Sequence, residues 1–198
     1  MTTFAEVVES PREEDVQQYL TENPHILLAA FGSHWAVNEC IPKFRFGTEY
    51  VSDFVIVTGQ SFSYDITLIE LEPPTERPFT KAGKFAKRLN NAIGQVNDWF
   101  AWIHENEDYF RKSLSKEMKD GYGASQITFP GGPGGLERRS RHRDFICAKI
   151  VIGRREMLTE DDDKRRATIL HQTQKGIEIL PFDRLLELES RMHNSSPS

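Results

Sequence analysis

Glu70 and Glu72 end an apolar run, Tyr64 to Leu71, at alternate positions just ahead of Pro73 and Pro74. Residues two apart on a strand share a face, so both carboxylates would point the same way. An upstream run from Tyr50 to Val57 is β-branched and aromatic, and carries one acid, Asp53,. A lone buried carboxylate commonly finds a structural arginine. Three of them on neighbouring strands repel unless a proton or a cation intervenes, and Mg²⁺ with oxygen ligands is a common solution. Glu72, directly before Pro73, falls toward the rim of the sheet.

Other elements must hold these acids in place. Ser10, Pro11 and the acids Glu13, Glu14 and Asp15 read as a helix start, with Ser10 as cap and Pro11 in the first helical position,. That helix spans about 11–22, and Asn23 and Pro24 stop it. Strands follow around 36–41, 44–46 and 51–57, with a turn near Gly59 into 64–71, an antiparallel meander. From Lys84 to about His104 the residues Phe85, Leu89, Ala92, Val96, Trp99, Phe100 and Ile103 recur at three and four, the period of a long amphipathic helix,. Gln95 and Trp99 share one flank of it, with Trp102 close by. The aromatics there serve equally well as core, and Gln95 as a solvent-side helix former.

The stretch from Gly121 to Arg143 is too rich in Gly and Pro for regular structure and reads as a mobile surface loop,. Asp144 to Gly153 returns as a buried strand. Thr159 and the acids Glu160 to Asp163 cap and charge a helix through about Gln172. A short strand, 177–180, and a last helix, about 181–192, complete an α/β mixed sheet flanked by helices, one domain over 1–198 with its core at about 36–180.

Bulk composition narrows the function classes. With 198 residues, 38% of them hydrophobic and 28% charged, the chain is an ordinary globular protein that can bury one sizeable core,. It has no apolar run of transmembrane length and no basic-then-apolar leader at Met1, so a cytoplasmic protein without a membrane partner is expected,. Cys40 and Cys147 lie far apart in apolar contexts, as reduced core residues do. The net charge of -5 argues weakly against nucleic acid, but basic residues cluster at Lys81, Lys84, Lys87 and Arg88 and again at Arg138, Arg139, Arg141 and Arg143,. The second cluster is the better phosphate-contacting segment, and it also fits a solvated charged loop.

In order along the chain, Ser52-Asp53-Phe54, then Ile69 to Thr75, then Pro78 to Lys81, then Ala92 to Trp99, then Ile150 to Arg154 make a set. With the leading helix Val16 to Pro24, this set resembles the PD-(D/E)xK nuclease superfamily, and within it the Shedu family of bacterial anti-phage defence nucleases. The resemblance covers about residues 13–190. It implies a restriction-endonuclease-like fold and metal-dependent cleavage of a DNA phosphodiester, with Mg²⁺ or Mn²⁺ as cofactor.

By position, Asp53 and Glu70 would be metal ligands, joined by a first-helix acid, Glu13 or Glu14, with Glu14 the expected ligand. Gln95 would orient substrate or a ligand. The superfamily places a lysine two residues after the second acid, and here that position is Glu72; either Lys81, Lys84 or Lys87 supplies the charge from the helix side, or the lysine is simply gone. The catalytic set so implied is Asp53, Glu70, Glu72, Gln95 and Lys81. DNA would be held through its phosphates by Arg138, Arg139, Arg141, Arg143, Lys84 and Lys87. A homo-oligomer is expected, since two DNA strands invite two sites, and activation would come either through the chain's own surface and oligomer interface or from a separate sensor protein. The main rival is an inactive module of the same fold that binds DNA or a partner protein. Glu70 and Glu72 as a glycosidase pair are disfavoured, because alternate residues of one strand leave too little room for sugar and water.

Overall fold

The computed structural model describes residues 2–33, 37–60, 63–120, 145–172 and 176–194. Chain order begins with helices α1 (Phe4–Val7), α2 (Glu13–Glu22) and α3 (Pro24–Phe31). Strands β1 (Val37–Pro42), β2 (Arg45–Phe46), β3 (Tyr50–Val51), β4 (Phe54–Gln60) and β5 (Ser63–Leu71) follow. Helices α4 (Lys87–Glu105) and α5 (Glu107–Asp120) lead to β6 (Phe145–Val151), α6 (Glu160–Gln172), β7 (Ile177–Leu180) and α7 (Asp183–Asn194). The main sheet has the order β1-β4-β5-β6-β7, antiparallel across its first three strands and parallel from β5 to β7. This is the expected mixed sheet flanked by helices.

Alternation along the strands feeds two apolar layers. Val55, Val57, Ile66, Leu68, Ala148 and Ile150 pack with Leu89, Val96 and Trp99 of α4 and with Phe110 and Leu114 of α5. Phe54, Ile56, Ile69, Leu71 and Val151 pack on the opposite face with Phe4, Val16, Leu20, Ile26, Leu27 and Leu185,. A strand buried on both faces must be apolar almost throughout, so an acid near its end stands out.

Four differences from the sequence reading bear on the elements around the site. The run Val51 to Val57 is not one strand. The chain breaks at Ser52 and Asp53, where Ser52 N–H donates to Phe44 O (2.9 Å) and Lys43 N–H to Asp53 O (2.7 Å), and Tyr50 and Val51 pair with β2 in a separate small sheet. Pro24 opens a helix as well as ending one, because a residue without an N–H is harmless in the first turn,. Helix α2 starts at Glu13 and not Pro11, with Ser10 Oγ donating to Asp15 at 2.6 Å. Helix α5, which the sequence reading leaves out, buries Phe110, Leu114 and Met118 at a spacing of four. Among the described residues no helix is long and apolar enough to cross a membrane.

Candidate active site

The end of the antiparallel pair β4–β5 creates a local need that Asp53 meets. Phe54 is the first residue of β4 in register, opposite Ile69, and continuing that register one step sets Asp53 opposite Glu70. Beyond it β4 offers no backbone to pair with Leu71. Asp53 closes the gap with its side chain, Oδ2 accepting the Leu71 N–H at 2.7 Å, while its own N–H donates to Ile69 O at 3.2 Å. The other carboxylate oxygen, Oδ1, accepts from Lys43 Nζ at 2.7 Å. Asp53 is 5% exposed and Glu70 8%.

Glu70 alternates with Leu68 and Ile66 and so lies on the α4 side of β5,. Burial pushes its pKa up to about 9, and the charges of Asp53, Glu13 and Glu72 push in the same direction, against Lys43. Burial and these like charges favour the protonated form of Glu70 in the metal-free protein,. Glu13, in the first turn of α2, is pushed to about 7 by burial and then by Asp53 and Glu72. Glu72 is raised by burial, against the pull of Arg88, whose Nη1 stands 3.4 Å from its Oε2. Arg88 also reaches Glu76 at 3.8 Å. Four acids from α2, the start of β4 and the end of β5 thus share one electrostatic environment.

The structure brings Glu13 to this group and leaves Glu14 on the surface beside Arg12. Lys81, Lys84 and Lys87 are exposed, and the cations that meet the acids are Lys43 and Arg88. Gln95 is half-buried on α4, seven residues beyond Arg88 and so about 10 Å further along the same face,. The arginines 138, 139, 141 and 143 lie outside the described residues. Arg88 was visible in the sequence as part of a basic cluster. Lys43 was not: one lysine in a turn between Pro42 and Phe44 carries no pattern.

Among the described residues no three His, Cys, Asp or Glu side chains converge closely enough to hold a metal ion as placed. The donor chemistry nevertheless fits a hard divalent cation. Mg²⁺ is commonly bound by one or two carboxylates and completed by water and substrate oxygens, so Asp53 and Glu70 suffice in number. Carboxylates whose pKa values are raised by burial and by mutual repulsion are the ones whose ionised forms a cation would stabilise,.

The class follows from this frame: an α/β domain with a group of coupled acids at the end of a mixed sheet. The chain belongs to the family described as Shedu protein SduA, C-terminal, which matches residues 10–186. Among solved structures, the restriction endonuclease FokI bound to DNA aligns with 98% of this chain at 11% identity and a TM-score of 0.44. That alignment spans 28% of the FokI chain, so this chain corresponds to less than a third of that protein's length. No curated protein matches the chain.

Proposed function

We propose that the chain is a metal-dependent DNA nuclease with a restriction-endonuclease-like domain, cutting or nicking phosphodiester bonds in bacterial anti-phage defence. One observation carries the reading: Glu70 is 8% exposed at a strand end and opposite the equally buried Asp53, where burial and three neighbouring acids raise its pKa. A fold that needed only a core would place an apolar residue there, at no such cost. Membership of the Shedu family supports the same reading.

Asp53 and Glu70 would hold Mg²⁺ or Mn²⁺, with the Glu13 charge close by, and the ion when bound polarises the scissile phosphate and activates the attacking water. The protein's own part is positional. Asp53 is fixed by the Leu71 N–H and cannot swing away. Glu70 must give up its proton to become a ligand. Arg88 clamps Glu72 and keeps that charge from adding fully to the repulsion. Exposed Lys84 and Lys87 stand at the start of α4, where they would follow DNA phosphates without reading bases,. The proposal includes a homo-oligomer that pairs two sites, a separate sensor protein and a cytoplasmic setting.

One observation favours a second reading, an inactive module that binds DNA or a partner. The position two residues after Glu70 holds not a lysine but Glu72, tied to Arg88. A single experiment separates the two: supercoiled and linear DNA incubated with Mg²⁺ or Mn²⁺, an EDTA control, and the variants Asp53→Asn and Glu70→Gln. Cleavage lost on chelation and in both variants is the expected result. Cleavage that survives either change refutes the metal site, and DNA retained at low salt without cleavage supports the binding module.

A further inference from the structure

Lys43 Nζ stands 2.7 Å from Asp53 Oδ1 and covers that oxygen. Lys43 has φ +48°, and it is the one residue other than glycine with a left-handed backbone among the described residues. Such a conformation persists where neighbouring contacts over-determine it. Here both ends of Lys43 bind the same residue: its N–H donates to Asp53 O and its Nζ to Asp53 Oδ1, each at 2.7 Å. Asp53 therefore has one carboxylate oxygen committed to the Leu71 N–H and the other to an ammonium.

These two bonds differ in kind. The Leu71 N–H is buried backbone and cannot leave. The Lys43 side chain is 53% exposed, so its ammonium keeps part of its hydration and can detach without stranding a charge in the interior,. A divalent cation approaching Asp53 needs Oδ1 and repels the ammonium that holds it. Once displaced, that ammonium stays tethered through the backbone bond to Asp53 O, on a four-carbon stem, within reach of any anion bound beside Asp53,. Arg88 is engaged by Glu72 and Glu76, and the lysines of the loop before α4 are exposed and make no ion pair with the acids.

We propose that Lys43 is the exchangeable counter-ion of Asp53: its ammonium holds Oδ1 in the metal-free protein, yields it to the entering divalent cation, and then contacts the phosphate that the cation brings in. This inference rests on the nuclease reading of the site. The two functions of Lys43 pull in opposite directions, which makes them separable. As a competitor for Oδ1 it weakens metal binding, and as a phosphate contact it aids the reaction.

The test uses the full chain and Mn²⁺ alone as the first probe, its binding followed by calorimetry without DNA, then plasmid cleavage at saturating Mn²⁺. The variants are Lys43→Met, Lys43→Arg and Lys43→Gly, the last because glycine adopts φ near +48° freely and keeps the turn,. Mn²⁺ is expected to bind about 10-fold more tightly to the Met and Gly variants, as a competing charge has been removed. Their cleavage rate is expected to fall about 100-fold, the usual size of losing one charged contact to a reacting group, with partial rescue in Lys43→Arg. A purely structural lysine would lower thermal stability and leave Mn²⁺ affinity where it was. Unchanged or weaker Mn²⁺ binding in both variants, or undiminished cleavage, overturns the exchange while the nuclease reading stands. A wild-type protein that neither binds Mn²⁺ nor cleaves overturns both.

Discussion

Asp53 has two duties that substitution can separate. Asp53→Ala removes the acceptor of a buried backbone donor, the Leu71 N–H bonded at 2.7 Å, with Leu71 itself fully buried. An orphaned buried N–H costs about 1–3 kcal/mol. Loss of the ion pair with Lys43, whose side chain is half exposed, adds about 0–1 kcal/mol,. Relief of repulsion works the other way, since Asp53 raises the pKa of both Glu13 and Glu70. At pH 6, below about 7 and about 9, those two groups are mostly protonated and the relief is small. The net expectation at pH 6 is a loss of about 2 kcal/mol, or roughly 4–8 °C in Tm for a chain of this size. Asp53→Asn keeps a carbonyl oxygen for the Leu71 N–H and loses mainly the ion pair, so it should cost less than about 1 kcal/mol. Urea unfolding of the three proteins at pH 6 gives the comparison, and amide exchange at Leu71 should quicken in the alanine variant and not in the asparagine one. Equal stability of the two variants would refute the capping role. The same comparison identifies Asp53→Asn as the variant that removes the charge with the fold intact, which the cleavage experiment requires.

The pH dependence of stability has a definite sign. The folded protein keeps protons on Glu13 to about 7 and on Glu70 to about 9, whereas both ordinarily release them near 4.5; the stability they contribute is full below that value and is lost as pH rises through 7 and then 9. The urea midpoint of metal-free protein should fall between pH 5 and pH 9, and Glu70→Gln should flatten the fall; an identical slope in that variant would contradict the assignment. Gly153 has φ +65°, and a Cβ there would stand 2.4 Å from Glu76 O, so Gly153→Ala should cost about 2 kcal/mol or more through strain in the segment that follows Glu72, while an unchanged Tm would mean that segment moves freely. Gly94 is exposed within α4 and a Cβ there meets nothing within 4 Å, so Gly94→Ala should stabilise the protein by about 0.5–1 kcal/mol in thermal or urea unfolding; destabilisation would place an unseen neighbour on that face.

What the sequence made legible was what repeats. The apolar spacing from Leu89 to Ile103 marked α4, and the strand run Tyr64 to Leu71 marked β5, because burial on one stripe or on both faces leaves a period in the residues themselves,. Features set by single bonds left no such period. The break before Phe54 depends on Phe44 O and Asp53 O being claimed by residues about ten positions away. The run Tyr50 to Val57 therefore looks continuous when read by propensity alone, and tertiary pairing overrides it. Pro24 is equally compatible with ending one helix and starting another, and nothing in the residue itself separates the two,.

The same distinction explains the site. Asp53, Glu70 and Glu72 could be singled out because acids inside apolar runs violate a pattern. The groups that give them their chemistry could not be. Glu13 and Glu14 are adjacent and identical in type, and only the orientation of α2 decides that the first meets Asp53 while the second meets Arg12. Lys43 is ordinary in composition and unusual only in its backbone and in having both ends on one partner. A cation placed by a turn costs less to move in evolution than one placed by a strand register, since a long stem reaches the same point from several backbones. Glu72 can therefore occupy the position two residues after Glu70 without leaving the acids short of positive charge, provided Arg88 holds it and Lys43 holds Asp53.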